Sequence, residues 1–454
     1  MNNNISTNRF KLFSIEDMNF VYLSESADIL KIQNSEMKAY FDMCLSGVND
    51  RMLDDDKVAE ITKTLIENIE IPDLTDISDP DNVTLMINMT NGCNMACKYC
   101  FAGVNKGKVQ NITLDTIKNA VFDLLENYID TPSYTIFFFG GEPLLRKDLI
   151  MESVTFIKEI MLEHSKKVSF SVSTNGTLID SPLIDFFKHE SFQVTVSIDG
   201  CKMQNKERVF SDGTETFEAV IENVMLLKKA GISLGLHATF SPFTEDLLGA
   251  IEYFESLQIP YNYDFTIGSI QKSEDNTRFT KDKFSVVKIE IMKIADFLVN
   301  KFLNDEHIYC STFISRLFYV RDKNYKLHGC EAGRGTFIVD EKGNYYPCQN
   351  MIPFPNTTIG NTSTGINSQK QMKSQSHSLI SIQDCQSCWA RFLCGGGCEA
   401  ERLMKDPSES LHVRCEIMRA EWLSTIIAYT RIREYKYMFN LKTKKNERFE
   451  EART

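Results

Sequence analysis

From Val83 onward, short apolar runs alternate with longer stretches whose apolar positions recur at helical spacing. The runs Val83–Met89, Tyr134–Phe139, Val168–Ser173, Val194–Ile198, Ile232–Phe240 and Tyr261–Ile267 predict strands. Between them Leu114–Tyr128, Leu149–His164, Leu183–His189, Phe217–Ala230 and Glu245–Leu257 predict helices. Strands and helices in strict alternation form a parallel sheet. The expected fold class is therefore α/β, a partial (β/α)6 TIM-type barrel. In such barrels the chemistry gathers where strands end at their C-terminal side.

Upstream, Arg9–Phe13, Phe20–Leu23 and Ile29–Ile32 predict short strands, and Ser35–Ser46 and Lys57–Asn68 predict helices. Pro72–Asp81, rich in Asp and Pro, reads as a linker. Downstream, Lys281–Leu303 predicts a long bridging helix and Leu411–Tyr437 a closing one. Ile359–Ser381 is rich in Ser, Thr, Asn and Gln and is expected to be a surface loop. The predicted divisions are 1–80, 81–280 for the barrel, a helical bridge over 281–325, and 326–454.

The chain of 454 residues, 43% hydrophobic and 25% charged, is long enough for two or three domains. No apolar run reaches the ~20 residues of a membrane span, and Met1-Asn2-Asn3-Asn4 has no signal-peptide character. A cytoplasmic protein with no membrane partner is expected. A net charge of −12 argues against nucleic-acid binding. The charge is uneven, with 7 Lys/Arg against 16 Asp/Glu in residues 1–80. In a chain of this class, 13 cysteines argue for metal ligation over disulfides.

Three of those cysteines, Cys93, Cys97 and Cys100, follow the first strand at spacings of four and three. Thiolates select soft metals and iron–sulfur clusters. A four-iron cube needs four ligands and this loop offers three, so one iron is left for a chelating small molecule. A zinc knuckle or three buried thiols would also fit the loop alone. Gly140-Gly141-Glu142-Pro143 ends the second strand, Ser173-Thr174-Asn175-Gly176 the third, and Ser197-Ile198-Asp199-Gly200 the fourth. CxxxCxxC with an aromatic residue, Tyr99, before its last cysteine, together with these strand ends, resembles the radical S-adenosylmethionine (SAM) enzymes.

That resemblance implies a SAM-binding 4Fe-4S cluster on Cys93, Cys97 and Cys100, the catalytic trio, with Tyr99 beside the cofactor. It implies that Gly140, Gly141, Glu142 and Pro143 hold the methionyl end of SAM, Glu142 taking its ammonium. Ser173, Asn175, Ser197 and Asp199 would meet the ribose or carboxylate, and Arg208 would fork onto the carboxylate. A reduced cluster would then split SAM, and a 5′-deoxyadenosyl radical would take a hydrogen from substrate.

In the last third, Cys330, Gly343, Cys348, Cys385, Cys388, Cys394, Cys398 and Cys415 match the SPASM domain of peptide-modifying relatives position for position. By that pattern Cys385, Cys388, Cys394 and Cys415 would hold an outer auxiliary 4Fe-4S cluster. Cys330, Cys348 and Cys398 would hold an inner one, bringing the total to three. The inner set is one ligand short: sulfatase-maturing relatives place a further Cys just before the position of Cys330, and residues 324–329 contain none. The open iron could take a substrate thiolate, or His328 or Cys310 could fill it. Those relatives also carry an Asp as proton acceptor where this chain has Gln349, which lowers the formylglycine reading. Cys44 and Cys201 fit neither pattern and read as buried thiols.

Small strands followed by helices ahead of such a core resemble the winged-helix peptide-recognition element of ribosomal-peptide maturases, which adds a leader peptide to a sheet edge. Taken together, the resemblance implies a maturase of the sactipeptide and ranthipeptide type. It would join a cysteine sulfur to carbon in a Cys-containing precursor bound through its leader, with flavodoxin or ferredoxin as electron donor. Carbon–carbon crosslinking, epimerisation and formylglycine formation on the same scaffold are the catalytic alternatives, and a non-catalytic iron–sulfur regulator is the non-enzyme one.

Overall fold

The computed structural model describes residues 10–32, 37–39, 41–42, 80–100, 108–266, 279–375, 379, 381–403 and 407–451. Among the side chains of those residues, 373–375, 407–411 and 437–451 are not described. Cys44, the expected helix 57–68 and nearly all of the expected linker lie outside the described residues.

β4 (Asn82–Asn88), β5 (Ser133–Phe139), β6 (Lys167–Thr174), β7 (Gln193–Ser197), β8 (Ser233–Phe240) and β9 (Tyr261–Phe265) run parallel, each paired with the next in sequence order. The helices between them are α1 (Leu114–Asn127), α2 (Lys147–Glu163), α3 (Ser181–His189), α4 (Phe217–Ala230) and α5 (Leu247–Leu257). The alternation expected from sequence is thus the one observed. Local signals place the helix ends. Thr113 Oγ1 accepts from Thr116 N and Asp180 Oδ1 from Leu183 N at the starts of α1 and α3. Gly231, at φ +72°, ends α4 in the left-handed conformation.

Side-chain alternation gives the sheet two unlike faces. Tyr134, Ile136 and Phe138 of β5, Phe170 and Val172 of β6, and Val194 and Val196 of β7 are buried under the helices. Phe170 stacks on Phe192 with ring centroids 5.6 Å apart. The opposite face carries Thr135, Ser171, Ser173, Thr195, Ser197, His237 and Thr239, half-buried and polar, with Ser169 exposed. This is the face a substrate would meet.

Four further strands continue the sheet beyond β4, giving ten. β10 (Thr336–Val339) lies parallel to β4 in the register Thr336↔Thr84. β11 (Asn344–Tyr346), β12 (Gly360–Asn361) and β13 (Gly365–Ile366) follow antiparallel. The surface loop expected over 359–381 is corrected here, because β12, β13 and the helix Ser368–Gln375 fall within it. Two-residue strands carry no readable period, and they exist only because β11 offers them an edge.

The N-terminal strands β1 (Phe10–Ile15), β2 (Met18–Leu23) and β3 (Ile29–Lys31) form a separate antiparallel sheet. One face sets Phe10, Val21 and Leu23 against Phe41. The other sets Phe13, Phe20 and Tyr22 against Val320, Trp389, Leu393, Trp422 and Ile426. Tyr22 and Trp389 meet edge to face at 6.1 Å, and Arg391 pairs with Glu25 at 2.8 Å in a largely buried contact. Cys388 and Cys394 pack against this same cluster. The sheet therefore sits on the segment that carries four of the C-terminal cysteines and on the long helix Pro407–Glu451.

Trp389→Ala removes the anchor of that contact at a cost of about 3–5 kcal/mol. Limited proteolysis of the variant should cut within residues 10–32 while the ten-stranded sheet stays protected; protection equal to wild type would refute the docking role.

Candidate active site

The cysteine loop leaves β4 at Asn88 and is tied down on both sides. Met89 N donates to Phe139 O at 2.8 Å, Gly141 N to Thr90 O at 2.8 Å, and Glu142 N to Gly92 O at 2.9 Å. Gly140 stands at φ +148°, where a Cβ would come within 2.7 Å of Thr90 O, so the glycine is demanded by this close approach. On the far side Ala96 N donates to Val209 O at 2.8 Å, Lys98 N to Glu207 O at 3.2 Å, and Ser211 N to Asn94 O at 3.1 Å. The segment that carries Arg208 is thereby bonded to the loop that carries Cys93, Cys97 and Cys100.

Glu142 is fully buried. Its Oε1 accepts from Leu144 N at 3.0 Å and Thr174 Oγ1 at 2.7 Å, and its Oε2 accepts from Asn175 N at 2.7 Å. Burial pushes its pKa up, and those three donors with Arg208 oppose the rise. Pro143 begins the short turn Pro143–Arg146 that Glu142 caps. Asn175 also donates from Nδ2 to Asn94 Oδ1 at 2.8 Å and lies 3.7 Å from Cys93 Sγ. Thr177 Oγ1 closes the group between Asn175 Oδ1 and Asn94 Nδ2.

A second buried group holds the last part of the loop. Asp199 accepts from Tyr99 OH and, at 3.0 Å, from Thr239 N. Arg208 Nη1 donates to Tyr99 OH at 2.8 Å and lies 3.8 Å from Asp199 Oδ1. Burial raises the pKa of Asp199, opposed chiefly by the Arg208 guanidinium. Ser173 and Ser197 lie half-buried on the polar sheet face. Across the sheet Ser197 stands in register with His237 and Asn262, and His237 Nδ1 meets Asn262 Oδ1. Asn94 and Thr174 lie inside the sequence motifs but are assigned no role there by the resemblance, and Thr177, Asn88 and His237 lie outside them; only their places near strand ends could have marked them.

The thiols suit a soft centre. Burial pushes Cys93 up to about 12 and also raises Cys97, and Cys100 acts on the charge of both. Such thiols ionise only when a cation compensates, so binding would release protons. Met95 N already points at Cys93 Sγ at 3.4 Å.

The C-terminal cysteines stand near one another in two groups. Cys348 and Cys398, raised by burial to about 11 and 12, lie near Cys330. Cys394, raised by burial to about 12, lies near Cys385, Cys388 and Cys415. Close backbone approach joins the groups. A Cβ on Gly395 would stand 2.2 Å from His328 O, and one on Gly329 would stand 2.0 Å from Gly397 O. Gly395, Gly396 and Gly397 have φ +70°, +92° and +77°, three left-handed residues in a row. Met86, Phe137 and Phe139, apolar residues on the face opposite the helices, share one cluster with Cys348 and Cys398, while Cys330 is exposed. Cys310 is fully buried in the main core beside Tyr261 and Glu255. The Cys201 thiol donates to Gln204 Oε1 at 2.9 Å. Among the described residues, no three His, Cys, Asp or Glu side chains converge as around a single ion; a cubane places each thiolate on its own iron. Among the described residues no helix is long and apolar enough to cross a membrane.

Glu142→Gln turns one accepting oxygen into a donor facing a donor. It should cost about 1–3 kcal/mol in chemical denaturation; an unchanged midpoint would show that the clamp carries no stability.

Residues 87–254 match the family described as the Radical SAM superfamily. The chain is 25% identical over 350 residues to the cysteine-type anaerobic sulfatase-maturating enzyme of Clostridium perfringens, covering 70% of this chain and 89% of that protein. Of solved structures, native anSMEcpe with bound AdoMet superposes with TM-score 0.65 at 21% identity, covering 77% of this chain and 98% of that one. Streptococcus suis SuiB bound to S-adenosylmethionine gives 0.52 at 13% identity, covering 88% and 96%. The chain carries a radical SAM domain and is homologous to the SPASM-type anaerobic sulfatase-maturating enzymes.

Proposed function

We propose that this protein is a radical SAM maturase that installs thioether crosslinks, cysteine sulfur to carbon, in a ribosomally made precursor peptide. The observation that carries the reading is the placement of two thiol sets on one interior. The loop of Cys93, Cys97 and Cys100 stands at the strand ends, and Cys348 and Cys398 pack on the same sheet face through Met86 and Phe137. A solved structure of similar fold is SuiB bound to its precursor peptide SuiA, and the Clostridium perfringens relative is named for maturing a sulfatase. Both fit a peptide substrate.

Cys93, Cys97 and Cys100 would hold the SAM cluster, Cys330, Cys348 and Cys398 an inner cluster, and Cys385, Cys388, Cys394 and Cys415 an outer one. With SAM and an electron from flavodoxin or ferredoxin, the bound clusters supply a 5′-deoxyadenosyl radical and a path for the substrate's surplus electron. The protein's own residues do the rest. Glu142, beside the three protein donors it already accepts from, would take the ammonium of SAM, and the Asn94–Asn175–Thr177 group keeps Cys93 in place. Tyr99, Asp199 and Arg208 fix the other end of the loop. Ser173 and Ser197 present hydroxyls to the ligand from the sheet. The N-terminal sheet offers edge strands to a leader peptide, and its seat on the cysteine-bearing segment keeps that leader at a fixed place relative to the barrel. Three thiols, Cys330, Cys348 and Cys398, leave one position for a substrate cysteine.

The second reading, oxidation of Cys or Ser to formylglycine, is favoured by the named relative and opposed by Gln349, which cannot act as a base.

Anaerobic incubation with SAM, dithionite and a Cys-containing precursor peptide should release 5′-deoxyadenosine and remove about two hydrogens per link, as read by mass spectrometry. Replacing Cys93, Cys97 and Cys100 together with Ala should abolish both. Retained turnover in that variant, or a zinc-loaded protein, would overturn the assignment.

A further inference from the structure

A net two-electron oxidation of a peptide must release a proton as well as a hydrogen atom. When a hydrogen atom has left a substrate carbon, joining that carbon to a cysteine sulfur breaks the S–H bond. One proton and one electron then remain to be removed. The electron goes to a one-electron acceptor, an oxidised iron–sulfur cluster, and the proton needs a base at the barrel mouth.

Most carboxylates near the mouth are already committed. Glu142 accepts from three protein donors, and Asp199 serves Tyr99 and Thr239. Glu401 is paired with Arg414, Nε to Oε1 at 3.4 Å, directly behind Cys398. Asp264, on β9, faces the buried guanidiniums of Arg414 and Arg316, which hold its charge.

Glu341 is placed differently. β10 runs parallel to β4, with Val339 opposite Ile87, so the residues after β10 emerge at the same end as the cysteine loop. Glu341 is the second of them. Its Oε2 accepts from Asn88 Nδ2 at 2.8 Å. Asn88 is the last residue of β4, in phase with Met86 and so on the face that packs against Cys348 and Cys398. The other side-chain atom of Asn88, Oδ1, lies 3.0 Å from where a Cβ on Gly140 would stand. One amide therefore connects the Glu341 carboxylate to the glycine pair beside the cysteine loop. Asp340, its neighbour, is spent on the turn, accepting from Lys342 N at 2.9 Å and Asn344 N at 2.8 Å. That turn fixes the direction in which Glu341 leaves the sheet.

Resting on the peptide-oxidising reading above, we propose that Glu341 takes up the proton released from the substrate during oxidation. The geometry gives it two donors, Asn88 Nδ2 and its own backbone N–H, and leaves acceptor capacity on the carboxylate. Burial raises its pKa, and Asp340 adds to the rise. Lys342, Asn88 and a backbone N–H oppose it. A higher pKa makes a carboxylate a better base. Because the acceptor must be unprotonated, product formation falls as pH drops through that pKa.

The test is Glu341→Gln, which keeps the shape and the contact with Asn88. With the co-expressed Cys-containing peptide, 5′-deoxyadenosine should stay within about twofold of wild type while oxidised product falls about 100-fold. The acid limb of the product pH profile should vanish, and Glu341→Asp should restore part of both. Unchanged product and pH profile would overturn the proposal. So would loss of 5′-deoxyadenosine together with product, since Glu341 would then act before hydrogen abstraction. A second measurement needs no peptide: the carboxyl infrared band that disappears in Glu341→Gln should titrate above the ordinary glutamate value of about 4.3. Titration at or below that value overturns the proposal whatever the peptide does. A wild-type product that has lost two hydrogens without a new link would refute the thioether reading but leave this test intact, because either oxidation sheds one proton.

Discussion

One buried carboxylate holds the ends of three strands together. Glu142 follows β5, accepts from the end of β6 through Thr174 and Asn175, and gives its own N–H to Gly92 at the root of the cysteine loop. A charge taken out of water is costly unless donors meet it. Here three donors do so from two segments, which makes the arrangement cooperative: none of the segments can shift alone without stranding the charge. The position of Cys93 relative to the sheet follows from this clamp through Asn175 and Asn94.

The second constraint closes the same loop at its other end. Tyr99, Asp199 and Arg208 form a buried set in which a phenol stands between a carboxylate and a guanidinium. The two groups fix the loop at Cys93 and at Cys100, and the residues between them are held by backbone bonds to 207–211. Thiols raised by burial cannot ionise unaided, so a stiff loop that presents them together favours a cation over water.

The C-terminal region depends on backbone, where the barrel depends on side chains. Gly329 and Gly395 let two segments pass at distances no side chain permits. That crossing separates the four-thiol group from the three-thiol group while keeping them adjacent. The same segment carries the N-terminal sheet through Trp389 and Arg391, so a peptide bound at that sheet's edge would be held by a body continuous with the cysteines.

The sequence by itself determined the six βα units, because burial on one face and polarity on the other leave a periodic record in every strand and helix. It also marked the loop of Cys93, Cys97 and Cys100, since ligand spacing within one loop is local. What only the tertiary structure decided are contacts between residues far apart in the chain. Residues 359–381 look like a loop until β11 supplies an edge for their short strands. Asn88 and Glu341, separated by more than 250 positions, meet only because β10 joins the barrel beside β4. Tyr99 meets Asp199 and Arg208 because the loop folds back across the ends of the strands. Such pairings leave no period in the sequence, because they are set by which strand lies next to which.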